Sequence, residues 1–227
     1  MAGIQPPFPW EGTAMKRCFI FAAGTFCGLR ERPGAPGDLV IAADAGFRIC
    51  RTLDITPDLL MGDFDSMEAP KDFIHLIRAP VEKDDTDTML AVKEGLRQGC
   101  GEFHIYGGTG GRRLDHTLAN FQALLYLRRH GARGFLYDKD FCWTVMENET
   151  LTLERTVDWG IVSLFPMDGA AEGVTLTGLQ YPLTEARLTP DVGLAVSNHF
   201  RGETADVCVR KGALLVGWQL PEPDGED

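Results

Sequence analysis

Two acidic clusters and a glycine-rich stretch hold the residues best suited to chemistry. Residues 57–66 read Pro-Asp-Leu-Leu-Met-Gly-Asp-Phe-Asp-Ser, so Asp63 and Asp65 follow an apolar run. In an extended segment, residues two apart project to the same side, with Phe64 opposite. Convergent carboxylates raise each other's pKa unless a cation lies between them. Magnesium suits such a pair, because it takes one or two carboxylates and completes its shell with water and substrate phosphates. The alternative is a polar turn in which Asp65 or Ser66 caps a helix. The second cluster is Lys83-Asp84-Asp85-Thr86-Asp87. Alone it reads as a solvated helix start, where acids are ordinary. Paired with the first cluster, it brings in Asp84 and Asp87 as further metal-ligand candidates, while Asp85 keeps the solvated reading.

The third feature is Gly107-Gly108-Thr109-Gly110-Gly111-Arg112-Arg113-Leu114-Asp115-His116. Glycines let the backbone approach a phosphate closely, and amides at a helix start attract anions. Arginine adds bidentate phosphate contacts. The stretch lacks the Gly-Lys-Ser/Thr ending of a Walker A loop, and Arg113 stands where the dinucleotide fingerprint needs a third glycine. Carboxylates for a hard cation, beside amides and arginines for phosphate, point to chemistry on a nucleotide–magnesium complex. Asp44, in Ala42-Ala43-Asp44-Ala45-Gly46, reads first as a helix cap. His116 alone reads as a helix-surface residue, and no Ser-His-Asp triad can be read from the sequence.

These motifs need elements to position them. Cys18 to Ala23, Leu39 to Ala43, Leu59 to Met61 and Phe103 to Tyr106 are short apolar runs, as expected of strands covered on both faces. Met89, Val92 and Leu96 repeat at helical spacing, as do Leu114, Leu118, Phe121 and Leu125. Arg128 and Arg129 suit a helix C-terminus, and Gly131 a stop. The alternation predicts an α/β N-terminal domain with a mostly parallel sheet, and the motifs fall just after strands, where ligands bind in such sheets. Near residue 138 the texture changes. Phe141–Val145, Thr150–Leu153, Ile161–Phe165, Val174–Leu176, Leu194–Val196, Ala205–Val209 and Leu214–Trp218 predict an all-β C-terminal sandwich or barrel domain. Trp143, Trp159 and Trp218 are expected in its core or at an interface. The division is a disordered extension over 1–14, an α/β domain over 15–138, a β domain over 139–220 and a tail over 221–227. Met15 is expected to begin the folded unit.

The chain has 227 residues, 44% of them hydrophobic, which is enough to build real cores. A net charge of −11 disfavours nucleic-acid partners. Six scattered cysteines form no zinc spacing and read as free thiols of a reducing, cytoplasmic setting. No apolar run approaches the ~20 residues of a membrane span, and residues 1–14 lack a signal-peptide pattern.

Together the motifs resemble the thiamine pyrophosphokinase (thiamine diphosphokinase) family. The resemblance rests on Ala43-Asp44-Ala45-Gly46, the 57–66 and 83–87 stretches, and Gly110-Gly111-Arg112 through Asp115-His116-Thr117-Leu118-Ala119-Asn120. In the β domain it rests on Ser163-Leu164-Phe165-Pro166, Gly178-Leu179-Gln180-Tyr181-Pro182-Leu183 and Val196-Ser197-Asn198. It spans about Met15 to Val216. It implies an α/β domain, a C-terminal β-sandwich, a homodimer, and transfer of the pyrophosphoryl group of ATP to the thiamine hydroxyl, giving thiamine diphosphate and AMP.

By the same resemblance Asp63, Asp65 and Asp87 are magnesium ligands, with Asp84 a weaker candidate. Gly108, Thr109, Gly110, Gly111, Arg112, Arg113, Asp115 and His116 form the ATP loop. Ser197 and Asn198 belong to a thiamine pocket completed across the dimer. Arg112 or Arg113 neutralises phosphate charge, and Asp44 and Asp115 are candidates to accept the hydroxyl proton. The chain departs from the pattern in having Ala45 where a glycine is usual, and two residues rather than one between Arg112 and Asp115. Either arginine is therefore a candidate, and no tryptophan aligns with the aromatic that stacks on thiamine in some relatives. The rival readings are a pterin pyrophosphokinase, a magnesium-dependent phosphohydrolase and a non-catalytic nucleotide-binding module.

Overall fold

The computed structural model describes residues 15–62, 76–78 and 84–222. Asp63, Asp65, the 1–14 extension and residues 223–227 lie outside the described residues. The chain divides between Lys139 and Asp140 into two compact units.

The first unit contains β1 (Arg17–Phe21), β2 (Leu39–Ala43), α1 (Gly46–Thr52), β3 (Leu59–Gly62), β4 (Leu76–Arg78), α2 (Asp87–Arg97), β5 (Glu102–Tyr106), α3 (Leu114–Arg129) and β6 (Arg133–Tyr137). Its strands lie in the order β6-β5-β1-β2-β3-β4, and every pairing among them is parallel. Continuous apolar runs form the central strands because both faces are covered. Cys18 to Phe21 are fully buried, and β2 is buried along its whole length. Phe19, Phe21, Val40, Ala42, Leu60, Cys50 and Tyr106 make one core cluster. From β1 the chain proceeds outward through β2, β3 and β4. It then returns to the other side of β1 as β5 and continues outward to β6. That reversal opens a crevice at the carboxyl ends of β1 and β5, the usual ligand position in such sheets.

Helix α3 differs from its expected orientation. Leu114 is 71% and Leu118 56% exposed, and Asn120, Ala123, Leu124 and Leu127 are the buried positions. The fit to β6 decides this: a Cβ on Gly134 would lie 2.6 Å from Leu127 Cδ1 and 2.8 Å from Leu124 Cδ2. The bare backbone of β6 receives those two leucines, and the predicted apolar stripe is rotated off the sheet. Gly131 follows the helix in a left-handed conformation, as a stop residue should.

The second unit contains β7 (Phe141–Glu147), β8 (Thr150–Glu154), β9 (Ile161–Pro166), β10 (Ala171–Thr177), β11 (Leu183–Leu188), β12 (Asn198–His199), β13 (Thr204–Cys208) and β14 (Ala213–Gln219). One run of strands is ordered β12-β9-β14-β7 and the other β11-β10-β13-β8, all antiparallel. In β8 and β13 buried and exposed residues alternate, so one face is buried and the other solvated. The expected strand at Leu194–Val196 is instead a turn, with Leu194 54% and Val196 38% exposed, and the chain pairs at Asn198–His199 and in an isolated bridge from Phe200 to Leu179. Trp218 is buried as expected, whereas Trp159 is 63% exposed and outside the core.

The α/β expectation is met in part. The described chain carries three α-helices, and its β structure as a whole is mixed, parallel in the first unit and antiparallel in the second.

Candidate functional site

A cleft of about 250 Å³ opens at the carboxyl ends of the parallel strands. Three loops build it. Ala22, Ala23 and Gly24 follow β1, Asp44 follows β2, and Gly107 to Arg113 follow β5. Asp87 and Thr88 enter from the start of α2, and His116, Thr117 and Asn120 from α3. Asp44, Asp87, Gly108, Thr109, Gly110, Gly111, Arg112, Arg113 and His116 therefore all face one crevice, although they are scattered over more than seventy residues of sequence.

The walls are fixed by backbone contacts. Gly24 N donates to Gly107 O at 2.7 Å, and Thr25 N to Thr109 O at 2.9 Å. A Cβ on Gly24 would sit 2.5 Å from Gly107 O and 2.6 Å from Thr109 O, so only glycine fits there. Gly107 has φ +64°, and a Cβ on it would meet Ala22 O at 2.5 Å. Asn120, buried at 5% exposure, donates from Nδ2 to Gly108 O at 2.7 Å and ties the loop to α3. The sequence reading did not single out Gly24, Thr88 or Asn120 as site residues. Asn120 stood only as the end of a motif, and Gly24 only as the end of a strand.

Asp44 ends β2 at φ +49°, a conformation that carboxylate and amide side chains tolerate best among non-glycine residues. Its N–H donates to Met61 O at 2.7 Å. The N-cap position of α1 falls one residue later, at Ala45. At the start of α2, Thr86 is the cap, its side chain accepting from Met89 N at 3.2 Å. That leaves Asp87 as the acidic residue of the first turn, lining the cleft. Asp85 pairs with Lys93 Nζ at 2.5 Å, as a solvated helix-end residue does, and Asp84 is exposed and not among the cleft-lining residues.

The two arginines differ. Arg113 grips Asp115 through Nε at 2.9 Å and Nη2 at 2.7 Å, on the exposed surface of the loop. The Arg113 guanidinium holds the Asp115 carboxyl down at about 2. Arg112 has no hydrogen-bond or ion-pair partner among the described residues and lines the same cleft.

The donor set at the cleft consists of hard carboxylate oxygens, which suit magnesium rather than a soft metal. Among the described residues, no three His, Cys, Asp or Glu side chains gather into a ligand cluster. All six cysteines are free thiols, four of them buried.

In the second unit, Asn198 is 2% exposed and its amide is engaged through both Oδ1 and Nδ2. Oδ1 accepts from Tyr181 N at 2.9 Å and His199 N at 3.0 Å, and Nδ2 donates to Tyr181 O at 2.8 Å. The consequence is an anchored but 60% exposed Tyr181. Ser197, at φ +58°, is exposed and held by its N–H to Ser163 Oγ at 3.0 Å.

Residues 35–136 match the family profile described as thiamin pyrophosphokinase, catalytic domain, and residues 148–214 match thiamin pyrophosphokinase, vitamin B1 binding domain. The chain is 29% identical over 186 residues to the thiamine pyrophosphokinase of Bacillus subtilis, covering 78% of this chain and 86% of that protein. The crystal structure of a thiamine pyrophosphokinase from Bacillus subtilis superposes with a TM-score of 0.79 at 26% identity, covering 91% of this chain and all of the other. The crystal structure of a thiamin pyrophosphokinase family protein from Enterococcus faecalis gives 0.77 at 27%, with the same coverage.

Proposed function

The chain belongs to the thiamin pyrophosphokinase family, and from that premise we infer that it transfers the pyrophosphoryl group of ATP to the hydroxyl of thiamine, releasing thiamine diphosphate and AMP. The observation that carries the reading is the single cleft joining the glycine loop, two arginines, Asp44 and Asp87 at the sheet's switch point. The B1-binding match over residues 148–214 favours thiamine over a pterin as acceptor.

The chemistry is mostly positioning and charge neutralisation. The 107–111 amides and the start of α3 cradle phosphate oxygens. Arg112, without a hydrogen-bond or ion-pair partner among the described residues, offers its guanidinium to phosphate charge, while Arg113 and Asp115 brace the loop. Asp87, with Asp63 and Asp65, would hold magnesium, which when bound supplies charge neutralisation between phosphate oxygens. Asp84 stays a peripheral candidate. Asp44, just after β2, is the candidate to accept the proton of the attacking hydroxyl; Asp115, tied to Arg113, is the less suited of the two. On the second unit, read as a sandwich, Ser197 and Tyr181 form the thiamine side. Asn198 acts there by holding Tyr181, whose exposed ring is the aromatic that stacks on thiamine. The reading carries a homodimer in the cytoplasm.

The test is acceptor choice. With ATP and magnesium, AMP release is expected with thiamine and not with 6-hydroxymethylpterin. The opposite preference, or ATP consumption independent of any acceptor, would overturn the reading.

A further inference from the structure

The connection from β1 to β2 lacks the helix that usually carries a crossover between parallel strands. None of its seventeen residues, 22–38, is helical. It starts at the cleft, where Ala22, Ala23 and Gly24 form part of the wall. It then runs back over the sheet. Phe26 and Leu29 pack on the core cluster, and Asp38 pairs with Arg17 at the start of β1 at 2.6 Å. An irregular segment on a sheet face has backbone groups that no ladder satisfies. Tyr106 partners several of them. It is the last residue of β5, 1% exposed, with its ring stacked on Phe21 and Tyr137. Its hydroxyl accepts from Glu31 N at 2.7 Å and Arg30 N at 3.3 Å, and donates to Glu31 O at 2.9 Å. That uses the one donor and both acceptor sites of the hydroxyl. The Tyr106 carbonyl accepts from Ala22 N at 2.8 Å, and that of the next residue, Gly107, accepts from Gly24 N. Tyr106 therefore grips the segment twice, through its backbone at the cleft wall and through its hydroxyl eight residues further on.

We propose that Tyr106 is a positioning residue for the phosphates of the bound nucleotide. It does not touch them. Its hydroxyl holds Arg30 and Glu31 down on the sheet, and the short chain between these and the cleft then keeps Gly24 and Thr25 against the glycine loop. Thr25 meets that loop directly: a Cβ on Gly110 would lie 2.5 Å from Thr25 Oγ1. The assignment rests on the reading of the cleft as a nucleotide site. Without the hydroxyl, three backbone groups of a half-buried segment lose their partner, so the segment opens locally and the cradle is assembled only part of the time. An assembled fraction of about one tenth lowers the apparent affinity for ATP about tenfold. Saturating ATP restores the assembled cradle, so the loss falls on KM and not on kcat.

The experiment compares Tyr106→Phe with Tyr137→Phe in the full chain. Each keeps its ring and loses a hydroxyl from the same aromatic stack, but the Tyr137 hydroxyl bonds His104 Nδ1 at 3.0 Å, away from the cleft wall. Thermal melts check that both variants fold. In Tyr106→Phe, KM for ATP should rise about tenfold, with kcat and the KM for thiamine within about twofold of the parent. The Gly24 and Thr25 amides, bonded to Gly107 O and Thr109 O, should exchange about tenfold faster. Tyr137→Phe should leave KM for ATP and those two amides unchanged. In the unaltered protein, a non-hydrolysable ATP analogue with magnesium should slow exchange at Arg30 and Glu31 as well as at Gly24 and Thr25, a readout that needs no variant. A Tyr106→Phe protein with a lowered Tm but the parent's KM for ATP and Gly24 exchange makes Tyr106 a core residue only and overturns the proposal. Equal effects in Tyr137→Phe, or Arg30 and Glu31 amides indifferent to the analogue, overturn it as well. Failure of the unaltered protein to bind the analogue overturns the nucleotide reading instead, while exchange at Gly24 and Thr25 in Tyr106→Phe still tests the coupling by itself.

Discussion

Replacing Gly24 by alanine tests how the cleft is held. The new Cβ would lie 2.5 Å from Gly107 O and 2.6 Å from Thr109 O, both backbone atoms with no side-chain freedom to yield. Reaching about 3.3 Å, the short end of carbon–oxygen contacts, requires the end of β1 and the glycine loop to part by about 0.8 Å. The bond from Gly24 N to Gly107 O, now 2.7 Å, would stretch past hydrogen-bonding range. Overpacking of this kind destabilises by about 1–3 kcal/mol. A displacement approaching 1 Å in the groups that position a reacting phosphate lowers the rate by about 100-fold. Steady-state AMP formation at varied ATP, with a thermal melt, measures both effects. The expected result is a kcat lower by about two orders of magnitude and a Tm lower by several degrees. Gly202→Ala is the control, because its Cβ would meet nothing closer than 3.9 Å, and it should leave both values unchanged. A Gly24→Ala protein with unaltered kcat, KM and Tm would refute the argument that the β1 loop and the glycine loop are locked together.

Asp87→Asn is expected to lower kcat by about 100-fold or more while circular dichroism stays that of the parent protein; normal turnover would remove Asp87 from the metal set. The Asp115 carboxyl, depressed by Arg113, should titrate near 2 by NMR and rise toward about 3.9 in Arg113→Ala. The sign follows from the depressed value: the pairing contributes above the unfolded carboxylate pKa and is lost as pH falls through about 2, with little effect on global stability because both groups are exposed. Tyr181→Ala should raise the KM for thiamine about tenfold with an unchanged Tm. Asn198→Ala should lower stability by about 2–3 kcal/mol in chemical denaturation, because it leaves the Tyr181 backbone groups unpaired.

Much of the site could be read before the structure because its chemistry sits at strand ends. Leu39 to Ala43 is a buried strand ending at Asp44, and Phe103 to Tyr106 ends at the glycine loop, as the apolar runs imply. What escaped was set by distant partners. Gly24 is fixed as glycine by carbonyls of Gly107 and Thr109, which no local pattern announces. The face of α3 is not legible locally, because Leu114 and Leu118 continue an apolar spacing that Gly134 on β6 does not receive. Leu194–Val196 has strand-like composition, but Ser197 at φ +58° turns the chain there. Leu183–Leu188 pairs as β11 despite Glu185 and Arg187, because as an edge strand it keeps its polar side chains in solvent. The hydrogen bonds of the Asn198 amide to the Tyr181 backbone join residues seventeen apart, a contact no local pattern announces.

The most direct test of the central claim follows the phosphorus. The protein is incubated with magnesium, thiamine and ATP labelled in the γ-phosphate, and the products are separated by mass. The account predicts thiamine diphosphate carrying the label on its terminal phosphate, with AMP formed in equal amount and no ADP. Labelled thiamine monophosphate with ADP, or free labelled phosphate released without thiamine, would contradict it.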